Sequence, residues 1–309
     1  GEIRQSIAAG EAAFEARLTR LRRLHASFTQ AADRKIIKAD LEKRLPKVRS
    51  FKWWAMGMAV LAEFTRAEEG HDNLIKARQI ALEGMREYPD SIGGKRCLHI
   101  AKSIEMPDYN LEAMASDSIG KRSIGINYKN LTKLYFRAHE VDLERHIKRS
   151  KDYNLFPGYR ELEKIVRQTK PAHTWEVDLK ATEDFKMHKA FVVPAMQKQG
   201  FYVVSASARK DFSKTNNRVQ VVHMVIGDLV LVSRQSGDAL EVEVLSGTSG
   251  KPVSGVKVYL YKHDYRSNHK AVSTEKTGKN GMVEFGKTGS HSYFLFAEKG
   301  GQVAGLLAA

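Results

Sequence analysis

Apolar residues in the first third of the chain recur every three or four positions, the spacing of a helix with one buried face. Phe14, Leu18, Leu21 and His25 form one such stripe. The same spacing predicts helices at 51–69, 72–88 and 91–104, in a segment rich in good helix formers. Pro89 ends the helix at 72–88, because proline disfavours a helical conformation of the residue before it.

A different period begins after Pro107, where apolar and polar residues alternate as in a strand with one buried face. In 256–261, for example, three aliphatic residues alternate with Lys257, Tyr259 and Tyr261. Asn280-Gly281 predicts a type I′ hairpin turn, because both residues tolerate positive φ. The predicted strands are 123–126, 130–138, 174–179, 189–193, 200–206, 217–225, 229–234, 240–245, 256–261, 282–285, 293–297 and 302–306.

These patterns predict an α + β multidomain protein, with an N-terminal all-α helix-hairpin region followed by two Ig-like β-sandwiches. We place the helical domain at 1–106, the first sandwich at 107–227 and the second at 228–309, with Gly227-Asp228 as the joint. Polar residues at 152–169 predict a partly helical insertion near 149–170. The last two helices, joined by Tyr88-Pro-Asp-Ser91, resemble a tetratricopeptide unit.

Composition restricts the partners. The 309 residues carry a net charge of +15, which favours an anionic partner such as nucleic acid, a membrane surface or an acidic polysaccharide, or serves solubility alone. The basic residues are dispersed, apart from a short run at 20–23 and a longer one at 133–151 that acidic residues interrupt, so we expect no nucleic-acid partner.

The chain shows no targeting or membrane signal. No apolar run reaches the roughly twenty residues that span a bilayer, and the longest is 53–64, so we expect a soluble fragment without a transmembrane segment. A start on Gly1 within a helical pattern, without a signal peptide, is typical of a segment excised from a longer protein. A single cysteine, Cys97, excludes an internal disulfide.

One stretch matches a phosphate-binding loop in its letters alone. Gly281-Met-Val-Glu-Phe-Gly286-Lys287-Thr288 has the required glycines, lysine and threonine. A phosphate loop opens a helix whose free N–H groups hold the phosphates, whereas a strand is predicted on each side of Gly286. We therefore predict no nucleotide site.

The remaining candidate groups do not assemble into a site either. His139-Glu140 resembles a zinc-protease helix, but the position of its second histidine is Leu143, and His146 lies two helical turns away. We expect a buried, neutral Cys97 that does not pair with His99. Structural or surface roles are expected for His188, His223, His263, Glu183, Asp184, Glu241 and Glu243.

Two further features have a structural and a functional interpretation. Trp53-Trp54, with Phe51 and Phe64, could be a ligand platform, but core packing is favoured because aromatic residues dominate buried area. Asn130-Leu-Thr132 fits a glycosylation acceptor but lies inside a predicted strand. We therefore predict no catalytic residue, no cofactor and no metal.

Several stretches resemble bacterial α2-macroglobulin-like proteins. For the second macroglobulin (MG2) domain these are Gly250-Lys-Pro-Val-Ser-Gly-Val-Lys-Val-Tyr-Leu-Tyr261 and Thr277-Gly-Lys-Asn-Gly-Met-Val-Glu-Phe285. The preceding domain is similar in Asn130-Leu-Thr-Lys-Leu-Tyr-Phe-Arg-Ala-His139, Trp175-Glu-Val-Asp-Leu179, Pro194 and Gly200-Phe-Tyr-Val-Val-Ser-Ala-Ser207. The helical stretch from Tyr88 to Leu98 looks like the N-terminal region of large Bacteroides-type members. The proline-valine-glycine pattern alone also occurs in carboxypeptidase-regulatory-like and other surface β-domains.

The resemblance implies a non-catalytic scaffold, the N-terminal fragment of a periplasmic or outer-membrane-associated protein that traps proteases. Its implied partners are target proteases acting on the full-length parent, other domains of the same chain and an envelope partner. The family's Cys–Gln thioester is absent, because Leu98-His99-Ile100 follows Cys97. The alternative is a surface adhesion or glycan-binding module using exposed Tyr259, Tyr261 and Tyr265, and an enzyme is the least favoured class.

Overall fold

The computed structural model describes residues 2–114, 116–118, 120–150, 155–263, 268–286 and 292–308. The chain divides into two compact units. One contains Gly1–Asp108 and Ala181–His188, and the other contains Tyr109–Lys180 and Lys189–Ala309. The helices of the first unit are α1 (Glu2–Ser27), α2 (Ala31–Arg44), α3 (Trp54–Arg66), α4 (Asn73–Glu87) and α5 (Ile92–Glu105), with a short 3-10 helix at Leu45–Val48.

The first unit is built around α3, which is buried along nearly its whole length. Ser91 caps α5 by accepting a 2.9 Å hydrogen bond from the backbone N–H of Gly94. Gly93 lets α5 approach α3 closely, because a Cβ at this position would lie 2.2 Å from the backbone nitrogen of Met56. Phe185, from the segment Ala181–His188, packs against this helical core.

The three predicted helices at 51–69, 72–88 and 91–104 are confirmed as α3, α4 and α5. The predicted stripe of α1 is also confirmed, since Phe14, Leu18 and Leu21 are buried and His25 stacks on Phe64 at 4.0 Å. α2 lies within the predicted helical domain at 1–106 but was not predicted as a separate helix, and the segment from Ala181 to His188 was placed in the first sandwich.

The second unit contains two β-sandwiches, so the predicted fold class is confirmed. The first sandwich pairs a three-stranded sheet, in the order β1-β3-β6, with a five-stranded sheet, in the order β2-β8-β7-β4-β5. Its core lies between them and includes Ile126, Phe136 and Tyr202. Its strands are β1 (Asp108–Ala113), β2 (Ser116–Asp117), β3 (Ile124–Lys129), β4 (Lys133–Val141), β5 (His173–Asp178), β6 (His188–Val192), β7 (Gly200–Ser207) and β8 (Val219–Ile226).

The second sandwich pairs sheets in the orders β13-β10-β9 and β12-β11-β14-β15. Val242, Val258 and Leu295 are fully buried in its core. Its strands are β9 (Leu229–Ser236), β10 (Ala239–Ser246), β11 (Lys257–Lys262), β12 (Lys270–Lys276), β13 (Met282–Phe285), β14 (Tyr293–Lys299) and β15 (Gln302–Ala308).

Between β4 and β5 the chain forms α6 (Leu143–Arg149) and α7 (Tyr159–Gln168), where a partly helical insertion was expected. The domain limits at 106/107 and 227/228 stay predictions, and so does the tetratricopeptide likeness. Among the described residues, no helix combines the length and the hydrophobicity needed to cross a membrane.

Two local predictions were wrong, and the strands β1, β2 and β12 were not predicted. Asn280-Gly281 does not close a hairpin, because the strands on either side of it, β12 and β13, belong to different sheets. Its turn is closed by the N–H of Gly281 donating to the carbonyl of Gly278, and positive φ occurs at Gly281 but not at Asn280. Asn130, with φ 55°, lies in the β3–β4 turn and not in a strand. β12 was missed, because nearly every residue in it is exposed and no alternation marks it.

Candidate functional site at the junction of the sandwiches

Strand β7 is buried on both of its faces. Successive side chains of a strand point to opposite faces, yet all eight residues of β7 are buried. Tyr202 and Val204 belong to the core of the first sandwich, whereas Phe201 and Val203 belong to a separate apolar cluster on the outer face. In the second sandwich, Tyr261 of β11 and Phe294 and Phe296 of β14 join the same outer cluster. We call this set the junction cluster; its buried members are Leu143, Ile147, Leu155, Leu162, Phe201, Val203, Val225, Tyr261, Phe294 and Phe296.

The helical insertion supplies the remaining side chains of the junction cluster. Leu143 and Ile147 lie four residues apart on α6 and therefore on one face, and Leu162 of α7 joins them. Asp142 starts α6 by accepting a 2.9 Å hydrogen bond from the backbone N–H of Arg145. Because these helices contribute to a cluster shared by both sandwiches, they are part of the connection between them.

Leu155, which lies between α6 and α7 in the sequence, reaches the last strand of the second sandwich. A Cβ built on Gly305 of β15 would lie 1.9 Å from Cδ2 of Leu155. Leu155 can lie this close to β15 only because residue 305 has no side chain. The rest of β15 lies beside β7 and β8 of the first sandwich and β9 of its own.

Asp228 lies at the predicted joint and is anchored by hydrogen bonds within the second sandwich. Its carboxylate accepts hydrogen bonds from the hydroxyl of Ser246 at 2.5 Å and from the hydroxyl and backbone N–H of Thr248 at 2.6 and 2.7 Å. Its backbone N–H donates to Oε1 of Gln302 at 2.8 Å, and its carbonyl accepts from the N–H of Gly247 at 2.7 Å. The hydrogen bonds from Ser246 and Thr248 hold the pKa of Asp228 below its ordinary value. All of these partners belong to the second sandwich, whereas the neighbouring Gly227 donates its backbone N–H to the carbonyl of Asp117 in β2 of the first sandwich at 2.9 Å.

Two histidines lie in one row across the outer face of the five-stranded sheet. His139 of β4 is opposite Val203 of β7, and Val203 is opposite His223 of β8. His139 is 1% exposed, and Phe156 stacks on His223 with ring centroids 5.0 Å apart. Burial lowers the pKa of both imidazoles, and the charge of Arg137 lowers that of His139 further.

The tyrosines expected to bind glycans are not available for that purpose. Tyr261 is fully buried, stacks on Phe294 at 5.1 Å, and burial raises its pKa to about 12. The half-buried Tyr259 donates its hydroxyl proton to Oε1 of Glu298 at 2.8 Å. Tyr265 lies outside the described residues. The expectation of exposed Tyr259 and Tyr261 was therefore wrong, because their ring faces close the junction.

The other singled-out residues lie apart from the junction cluster. Nε2 of His188 is 2.8 Å from Oδ1 of Asp184, a pairing that was not predicted. Glu241 pairs with Arg234 across β9 and β10. Gly281 precedes β13, while Lys287 and Thr288 lie outside the described residues. Within the described parts of the chain, no group of three or more His, Cys, Asp or Glu residues is arranged to hold a metal ion.

The candidate functional residues of the helical unit are part of its core. Trp54 and Phe64 are buried in its core, with Trp53 packed against it, which agrees with the interpretation of this group as core. Cys97 is buried and contacts the carbonyl of Ala55 at 3.3 Å, and burial raises the pKa of its thiol to about 12.

His139 and His146 do not lie on one helix. His139 is on strand β4 and His146 is on α6, so they do not form the helical motif of a zinc protease.

Sequence reasoning missed the junction cluster. One signal was present: in 201–204 four apolar residues follow one another without alternation, which is typical of a strand covered on both faces. The positions of His139 and His223 could not be predicted, because their burial depends on the insertion folding back over the sheet.

Comparisons with known proteins point to bacterial α2-macroglobulins among solved structures. No protein-family model matches the chain, and no curated protein matches it. The chain is similar to an Escherichia coli α2-macroglobulin segment spanning domains MG0-NIE-MG1, at 14% identity and a TM-score of 0.49, over 66% of this chain and 64% of that one.

Two longer structures match with lower TM-scores. Salmonella α2-macroglobulin reacted with methylamine matches at 14% identity and a TM-score of 0.43, over 65% of this chain and 12% of that one. The native E. coli protein matches at 13% identity and a TM-score of 0.41, over 65% and 13%. The chain thus spans less than two thirds of the E. coli segment and about an eighth of the longer proteins. At these identities and TM-scores below 0.5, the similarity does not establish family membership.

Proposed function

We propose that this chain is a non-catalytic scaffold segment of a larger α2-macroglobulin-like protein of the bacterial envelope, and that it contributes to protease trapping. The observation that carries the proposal is the junction cluster, which buries the outer faces of two sandwiches under one helical insertion. Such burial fixes the orientation of neighbouring modules, which is the task of a scaffold. The sequence motifs of both sandwiches support the family, the envelope localisation and the protease partner.

The polar groups of the junction also favour a structural role. The carboxylate of Asp228 is occupied by Ser246 and Thr248, and the hydroxyl of Tyr259 by Glu298. A catalytic group needs access to a substrate and a partner positioned to exchange a proton with it. The polar atoms of these groups instead form hydrogen bonds with neighbouring side chains of the protein.

The test uses the full-length protein that carries this segment, mixed with a panel of proteases. A trap retains the protease in a complex on size-exclusion chromatography; the retained protease cleaves a small peptide substrate but is excluded from a large protein substrate. We expect this result for at least one protease that cuts the parent. A parent that neither retains any protease nor changes shape on cleavage contradicts the trapping role.

A matched pair of variants tests whether the junction contributes to protease trapping. Gly305→Ala places a methyl group against Leu155 in the junction, whereas at Gly286 no described residue other than its chain neighbours has an atom within 4 Å of the added methyl group. If the junction positions the trap, the Gly305→Ala parent retains less protease than the Gly286→Ala parent. Equal retention by both variants would remove the junction from the mechanism.

A further inference from the structure

We propose that His139 and His223 form an acid-sensitive latch, which holds α6 and α7 on the junction at neutral pH and releases them when the two imidazoles are protonated. The latch concerns the junction itself and does not depend on whether the full-length protein traps proteases. Its evidence is the position of each ring, the partners of each ring nitrogen and the charges around them.

The hydrogen bonds of Thr169 assign the proton of His139. The Thr169 hydroxyl donates to the carbonyl of Ile165 at 2.8 Å, so its oxygen can only accept from Nδ1 of His139, which is 2.8 Å away. Neutral His139 therefore carries its proton on Nδ1. Thr169 ends α7, so this one hydrogen bond ties the end of the helix to the sheet.

The second ring nitrogen of His139, Nε2, is the atom that is protonated in acid. Nε2 is buried and has no hydrogen-bond partner among the described residues. Protonation must occur there, because Nδ1 already carries a proton. It would place an N–H donor and a positive charge in a buried position without an acceptor, which is costly unless the cover opens to water.

The second ring of the latch, His223, packs between two phenylalanine side chains. Its ring lies between Phe156 and Phe201, with centroids 5.0 and 5.7 Å away. Burial lowers its pKa, and no charged group among the described residues contributes to the shift. A protonated His223 is hydrated only if Phe156 moves aside, and the attraction of the imidazolium to the two phenyl rings offsets part of that gain.

The groups around His139 act in both directions. On β4, Arg137 lies two residues from His139 on the same face and disfavours its protonation, whereas a backbone hydrogen bond with Thr169 favours it to a smaller extent. The cleft beside Thr169, with a volume of about 630 Å³, also brings in side chains from β4, α6 and α7. Its charged or titratable members are Glu140, Asp142, Arg145, His146, Arg149, Glu161 and Lys164. Asp142 pairs with Arg145 and Glu161 with Lys164, so these carboxylates already have basic partners.

The sign of the pH effect follows from the lowered pKa values. Both histidines are neutral in the folded state and in the unfolded state well above pH 6.5, so the latch is closed there. As the pH falls below 6.5, the open form binds protons more readily than the closed form, and opening becomes more favourable. The loss of protection continues down to the folded pKa of each ring.

Hydrogen exchange on the whole chain at pH 7.5 and 5.5 tests the latch. After correction for intrinsic exchange, the protection of amides in α6 and α7 should fall by about tenfold or more at the lower pH. In the double variant His139→Gln with His223→Phe, which keeps a polar group at one site and a ring at the other, the fall should disappear. His99→Gln, at an exposed position of α5, should behave like the wild type.

Two results overturn the proposal: equal protection of α6 and α7 at both pH values in the wild type, or the same pH dependence in the double variant as in His99→Gln. If the double variant does not fold, an NMR titration of the wild-type imidazoles decides. His139 and His223 should titrate below the ordinary imidazole value of 6.5. Titration of either ring at or above that value would refute the latch.

Discussion

Some residues of the second unit depend on hydrogen-bond partners that are distant in the sequence. Asp228 illustrates this, because the sequence marks it only as a turn residue after Gly227. Its role depends on Ser246, Thr248 and Gln302, which lie 18 to 74 positions away in the chain. No local pattern contains those partners, and so these hydrogen bonds could not be predicted from the sequence.

Asp228→Ala should destabilise the second unit by about 1–3 kcal/mol, because the variant leaves the donors of Ser246 and Thr248 without their acceptor. Urea unfolding at pH 7 measures this loss, with Asp90→Ala, an exposed position of the helical unit, as the control. The lowered pKa of Asp228 stabilises the fold above the ordinary value of 3.8, and this contribution is lost as pH falls through the folded pKa. A stability difference between the variants that persists unchanged below that pH would contradict this assignment.

Cys97 should resist alkylation in the folded chain. Thiolate is the reactive form, and burial raises the pKa of this thiol to about 12. Treatment with iodoacetamide at pH 8, followed by mass spectrometry, should leave the native chain unmodified and add one label to the chain in denaturant. Rapid labelling without denaturant would show that the helical core opens around this residue.

Among the elements, helices and strands differ in how well the sequence revealed them. α3, α4 and α5 follow from apolar spacing and from a proline, all local features. β12 has no buried face to create alternation, and the Asn280-Gly281 turn joins two sheets where local preference indicates a hairpin. In both cases the deciding contacts are tertiary, and they override the local signal.

The insertion formed by α6 and α7 depends on the close approach of Leu155 to Gly305. Gly305→Ala should destabilise the second unit by about 1–3 kcal/mol through overpacking. Adding Leu155→Ala should recover part of that loss, because the small side chain makes room for the new methyl group. Calorimetry of the single and double variants measures this coupling, with Gly286→Ala as the neutral control. Strictly additive effects would show that the two residues do not touch.

At the scale of the whole molecule, the chain forms a helical unit and a β unit that contains both sandwiches. Alternation and turns predicted the two sandwiches separately. That they share one compact unit could not be predicted, because the junction cluster draws its residues from β7, β8, β11, β14 and the insertion. The absence of alternation in 201–204, and likewise in 294–297, was the sign visible in the sequence.

The most direct test of this account is native-state hydrogen exchange of the whole chain in increasing denaturant, followed at β7 of the first sandwich and β14 of the second. If the junction makes the sandwiches one cooperative unit, amides of both strands exchange through the same opening, with one free energy and one denaturant dependence. Exchange of β14 at a lower denaturant concentration, while β7 stays protected, would show that the sandwiches open independently and would contradict the account.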